Sequence, residues 1–93
     1  MSIATGKRVP LGRVVATSGV CAAVPEEVLR ESLQRHVVGD WGDCGPEDWS
    51  ENDFALVNGF RLFSVYHTRE GATLWVITEA DRSSTTVLLP DEY

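Results

Sequence analysis

The last third of the chain limits the fold most. Phe60–Thr68 (FRLFSVYHT), Thr73–Glu79 (TLWVITE) and Thr85–Pro90 (TTVLLP) are rich in aromatic and β-branched residues. Arg69-Glu70-Gly71 and Ala80-Asp81-Arg82-Ser83-Ser84 separate them and read as turns. Three strand-like runs joined this closely predict an antiparallel meander, which Pro90 is placed to end.

The region before it carries helical spacing. Val28, Leu29, Leu33 and Val37 define one apolar helical face. Pro25 suits the first helical position, Glu26 and Glu27 suit the first turn, and Arg35 and His36 suit the last. Gly39 is the expected stop. A second helix is expected to start at Pro46-Glu47-Asp48, with Ser50-x-x-Asp53 as an alternative cap. It runs through Phe54, Leu56 and Val57 and ends at Asn58-Gly59. Leu11–Thr17 (LGRVVAT) adds a short strand, broken by Ser18-Gly19. Residues 1–10 are polar, basic and contain Gly and Pro, so they read as a flexible N-terminal segment. Residues 11–93 are then one α+β domain. Its two helices pack on one face of a three- or four-stranded antiparallel sheet.

Length agrees with a single core. The chain has 93 residues, and a chain of this size buries roughly 60–65% of the surface exposed on unfolding. No apolar run approaches the ~20 residues of a membrane-spanning helix or an h-region of ~7–15 residues. Three Trp, three Phe and two Tyr argue against disorder along the whole chain.

Charge is unevenly distributed. The formal net charge is −6. Residues 1–25 hold Lys7, Arg8 and Arg13 and no acid (+3), so residues 26–93 carry −9. Such a chain is poorly suited to general binding of nucleic acid or anionic membrane, where Lys and Arg displace counterions. It suits a basic protein partner. Cys21 and Cys44 stand without a signal-peptide pattern, which implies reduced thiols in the cytoplasm. Cys21, His36, Cys44 and His67 lack the close pairs that would preorganise a zinc site, so no metal or other cofactor is expected.

Three constellations are candidates for function. Residues 40–53 (DWGDCGPEDWSEND) hold six acids and no base. Asp40, Trp41, Asp43, Asp48, Trp49 and Asp53 there are candidate partner-binding residues, the acids for steering and a Trp as anchor. The sequence leaves open whether Trp41 is that anchor or plugs the core. Glu79, Asp81, Arg82 and Ser83 are candidate ligand-binding residues, set against simple turn architecture. His36, with Asp40 placed to orient its ring, could join Arg61 and Thr85 or Thr86. That is the inventory of a small metal-independent ribonuclease or nucleotide-handling enzyme: a base, a phosphate clamp and hydroxyls. It requires all of them in one cleft.

Arg35-His36-x-x-Gly39-Asp40-Trp41-Gly42-Asp43, Trp75–Pro90 with Asp91-Glu92-Tyr93, and Leu11–Thr17 together resemble a family of small bacterial proteins of plasmids, phages and integrated elements. The resemblance covers residues 11–93. It implies a bacterial, cytoplasmic, accessory protein, and it transfers no functional residue. The expected function is a non-enzymatic acidic protein-binding module in host defence or gene control, with the ribonuclease-like enzyme as the alternative. A homodimer through an open edge strand is a further expectation.

Overall fold

The structure is a computed structural model that describes residues 8–93. The elements run β1 (Arg13–Ala16), α1 (Ser18–Ala23), α2 (Glu26–Val37), α3 (Pro46–Asn58), β2 (Leu62–His67), β3 (Thr73–Thr78) and β4 (Ser84–Leu88), then a 3₁₀ turn over Pro90–Glu92. Three helices pack against one four-stranded sheet of order β1-β4-β3-β2, so the fold is α+β as expected.

Two features differ from the expectation. The sheet is mixed, because β1 joins β4 in parallel, Val14 opposite Thr85 and Val15 opposite Thr86. The β2–β3–β4 meander is antiparallel. Everything from α1 to β3 lies between the parallel strands in sequence and supplies the long crossover that such a pair requires. The second difference is α1. Ser18-Gly19 does not break the chain there, because Thr17 stays extended and its side chain accepts the N–H of Val20. The glycine falls in the first turn, where backbone N–H groups have no intrahelical partner to lose.

The other ends follow local signals. Pro25 is the N-cap of α2, followed by Glu26 and Glu27 in its first turn. Gly59 closes α3 in the left-handed region at φ 78°, which glycine adopts without a Cβ penalty. Residues 1–7 of the expected flexible segment lie outside the described residues. Within its last part, Val9 is buried and its N–H donates to the Val37 carbonyl at 2.9 Å.

The core lies between the helices and one sheet face. Leu62, Ser64 and Tyr66 of β2, Leu74, Val76 and Thr78 of β3, and Thr85 and Val87 of β4 are all buried and face the helices. Val20, Val24, Tyr66, Leu74, Val76 and Val87 form one cluster; Val9, Trp41, Ala55 and Leu62 form another. The outer edge of β2 is closed by the chain itself. Val65 N–H donates to Trp41 O at 3.1 Å and Asp43 N–H donates to Val65 O at 2.7 Å. The Asn52 amide takes both backbone groups of Phe63 at 2.9 Å. An edge occupied in this way no longer offers a template for strand addition.

Candidate functional site

His36 is fully buried at the end of α2. Its Nδ1 lies 2.6 Å from Ser64 Oγ and its Nε2 lies 2.8 Å from Thr78 Oγ1. Thr78 Oγ1 is 2.7 Å from Thr85 Oγ1, and Thr85 Oγ1 donates to the Leu11 carbonyl at 2.8 Å. The carbonyl fixes the direction of the whole relay. Thr85 gives its proton to Leu11, so Thr78 gives its proton to Thr85. Thr78 must then accept from His36 Nε2–H, which leaves Nδ1 to accept from Ser64. This tautomer is assigned by the hydrogen-bond chain. Burial pushes the His36 pKa down to about 4, helped by the positive charge of Arg82. The ring is therefore neutral near pH 7, and both nitrogens are already engaged.

The ribonuclease-like set is not assembled. His36 and Thr85 lie in the relay on the helix-facing side. Thr86 points to the other side of the sheet, since side chains alternate along a strand. Arg61 is exposed and belongs to that other side as well. It reaches the Tyr93 hydroxyl at 3.0 Å and Glu79 at 3.6 Å, and Tyr93 packs on Phe63 and Trp75. Asp40 does not orient His36; it is held by Arg35, Nε to Oδ2 at 2.8 Å and Nη2 to Oδ1 at 3.2 Å.

The acidic segment divides into structural and solvent-facing carboxylates. The Arg35 guanidinium holds the Asp40 carboxyl below its ordinary range, and Gly42 N–H adds a third bond. Trp41 is fully buried, so it is a core residue rather than an exposed anchor. Its indole N–H donates to Asp53 at 3.0 Å, and its ring stands edge-on to His36 at 5.5 Å. Trp49 is half-buried against the same cluster. Asp43 pairs with His67 at 2.8 Å. Glu47, Asp48 and Glu51 remain exposed along α3.

The Ala80–Ser84 turn is equally structural. Arg82 sits in the left-handed region at φ 61°. Its guanidinium donates to the carbonyls of Ala55 (2.9 Å), Phe60 (2.7 Å) and Glu79 (3.1 Å). Arg82 therefore clamps the C-terminal end of α3, where positive charge is favoured, adding to the bonds that the Ala55 carbonyl already accepts from Gly59 and Phe60. Asp81 accepts Ser83 N–H at 2.9 Å, an Asx turn. Glu79, Asp81, Arg82 and Ser83 thus shape the turn and do not converge on a common ligand position.

The exposed apolar surface lies elsewhere. Phe54 is 60% exposed, Val57 82% and Phe60 55%. The rings of Phe54 and Phe60 stack at 6.0 Å. α3 turns Asn52 and Ala55 inward, with Trp49 and Leu56 beside them. Helical geometry then puts Glu47, Glu51, Phe54 and Val57 on the opposite side. Large apolar groups contiguous in solvent mark interaction surfaces more often than scattered ones do. The sequence reading places Phe54, Leu56 and Val57 on this helix without dividing its faces. The signal was a second apolar stripe, Phe54 and Val57, offset from Trp49, Asn52 and Leu56.

Among the described residues no group of three or more His, Cys, Asp or Glu side chains is placed to hold a metal ion. Both cysteines are free thiols, Cys21 exposed and Cys44 half-buried with its Sγ against the Trp41 carbonyl. Among the described residues no helix is long and apolar enough to cross a membrane. Comparison with protein-family models, curated proteins and solved structures gave no match.

Proposed function

We propose that this chain is a non-enzymatic protein-binding module, an accessory factor of a bacterial mobile element acting in the cytoplasm. It docks through the outward stripe of α3 onto a partner with an apolar patch edged by basic residues. The observation that carries this reading is the exposed Phe54 and Val57 on the α3 face that also holds Glu47 and Glu51, with the exposed Phe60 ring stacked on Phe54. Aromatic side chains supply much of the energy of protein interfaces once water is excluded around them. The carboxylates steer a basic partner and set the salt dependence of association. The engaged nitrogens of His36 weigh against the enzymatic alternative, and the resemblance of residues 11–93 to mobile-element proteins supports the accessory role.

The test uses a photo-crosslinking residue at Val57 to identify the partner in host cytosol, followed by direct titration of the purified pair. Phe54→Ser with Phe60→Ser is expected to weaken binding by about a hundredfold, since each removes a candidate hot spot of ≥ ~1–2 kcal/mol. Glu47→Gln with Glu51→Gln is expected to slow association and flatten its salt dependence. Unaltered affinity in the double Phe variant, with its fold intact by circular dichroism, sinks this reading.

A further inference from the structure

Among the described residues the sheet has one closed edge and one open edge. Arg13 N–H donates to Ser83 O at 3.0 Å and Thr17 N–H donates to Val87 O at 3.1 Å. In this parallel ladder Arg13, Val15 and Thr17 therefore turn their backbone groups toward β4, and Val14 and Ala16 turn theirs away from the sheet. Among the described residues nothing takes the outward groups. All four residues of β1 are exposed, Val14 at 45% and Val15 at 41%. The β2 edge is occupied by Asn52 and by the Trp41–Asp43 loop. A surface that is available on one edge only, and pairs with itself, closes as a two-fold dimer rather than an open array.

We propose that two copies of this chain pair antiparallel through β1, centred on Val15, to form one continuous eight-stranded sheet from two four-stranded ones. A two-fold axis perpendicular to the sheet keeps the helices of both copies on one side. Each residue must then oppose one whose side chain lies on its own face, which allows a centre at Val14 or at Val15. A centre at Val14 sets Ala16 against Gly12, whose φ of 62° leaves the extended region. A Cβ at Gly12 would also collide with the Arg82 and Ser83 carbonyls, so the position is held as glycine. A centre at Val15 pairs Val14 with the partner's Ala16 twice over, and every outward group of the strand finds an acceptor or donor.

Charge favours the same register. Centred on Val15, Arg13 lies opposite the partner's Thr17 on the same face. Within each copy the Thr17 hydroxyl donates to Glu92 Oε1 at 2.6 Å, and that bond holds the Glu92 carboxyl below its usual range. The Arg13 guanidinium thus meets the partner's Glu92 carboxylate at both ends of the interface. Among the described residues Arg13 has no ion-pair partner within its own chain. The two Val15 side chains meet on the axis.

Sedimentation equilibrium from micromolar to millimolar concentration tests this, with amide hydrogen exchange at Val14 and Ala16. The expected result is a reversible dimer of the 10.2 kDa chain, with protection of those two amides rising with concentration. Val15→Lys places two like charges on the axis and is expected to raise the dissociation constant by at least about tenfold. Arg13→Glu, which sets carboxylate against carboxylate, is expected to act in the same direction should Val15→Lys disturb the strand. A monomer at every concentration overturns the proposal. So does a dimer that both variants leave intact, or one in which the Val14 and Ala16 amides stay unprotected.

Discussion

The indole N–H of Trp41 donates to Asp53 Oδ1 across 3.0 Å and ties the start of the acidic segment to the middle of α3. The bond explains why a Trp lies in so polar a stretch. Its ring fills the core beneath the loop, while its one polar atom reaches a carboxylate at the margin. Trp41→Ala is therefore expected to cost about 3–5 kcal/mol of stability, the range for removing a large buried aromatic. Asp53→Asn keeps an acceptor oxygen for the indole and is expected to cost less than Trp41→Ala. Urea titrations of both variants check this; equal losses would mean that the carboxylate charge, not the acceptor, matters. Neutralising Asp40 and Asp53 together with Asp43 and Asp48 would confound folding with any partner effect.

The His36 relay makes stability depend on pH. In the unfolded chain an imidazole takes up its proton near pH 6.5. In the folded protein burial delays that to about 4. Between these values the unfolded state binds more protons, so stability falls as pH drops through that window. The full effect is about 3 kcal/mol and is reached below pH 4. Urea midpoints measured from pH 7.5 down to 4.5 are expected to hold level at first and to decline as pH falls below about 6.5, and His36→Gln is expected to flatten that decline. A slope unchanged by the substitution would place the proton uptake elsewhere.

Thr78 is the pivot of the relay, because it accepts from His36 and donates to Thr85. Thr78→Val preserves shape but removes both roles. It leaves His36 Nε2–H without an acceptor in a dry site, at an expected cost of about 1–3 kcal/mol. Thr85→Val keeps the His36 bond but strands the Thr78 proton and the Leu11 carbonyl, so it is expected to be destabilising as well. Combining the two should cost less than the sum, since both act on one network. A double-mutant cycle in urea reads the coupling directly.

Much of this was legible in the residues, and the exceptions have physical causes. The meander, α2 and α3 follow from local signals: β-branched runs, Pro and acids at helix starts, Gly59 at a helix end. The parallel docking of β1 was not legible, because four residues carry no direction and the partner strand is about 70 residues away. α1 was hidden by its glycine, which the Thr17 cap makes harmless. The site residues were misread wherever a polar side chain is structural. Asp40, Asp53, Arg82 and His36 look like chemistry in a sequence. Here each satisfies a buried or helix-terminal group, a role visible only once Arg35, Trp41, the α3 carbonyls and Ser64 are in place. The exposure of Phe54 and Val57 was not legible either, because it follows from the inward turn of Asn52 and Ala55.

Gly42 offers the sharpest check on the loop that closes the β2 edge. Its φ is 81°, a conformation that costs side-chain-bearing residues roughly 1 kcal/mol or more. A Cβ there would also collide with the Val65 carbonyl and the Tyr66 ring. The bonds on either side, Val65 N–H to Trp41 and Asp43 N–H to Val65, hold the loop against the strand, so it cannot retreat without losing them. Gly42→Ala is therefore expected to destabilise by more than about 2 kcal/mol, strain and lost edge bonds acting together. Gly71→Ala is the control: its φ of 93° is as unfavourable, yet a Cβ there meets nothing within 4 Å. The two variants share backbone strain and differ only in the collision. A larger loss of thermal stability at Gly42, with faster exchange of the Val65 amide, would assign the difference to that contact. Equal losses would mean that the loop yields and that β2 is a second open edge.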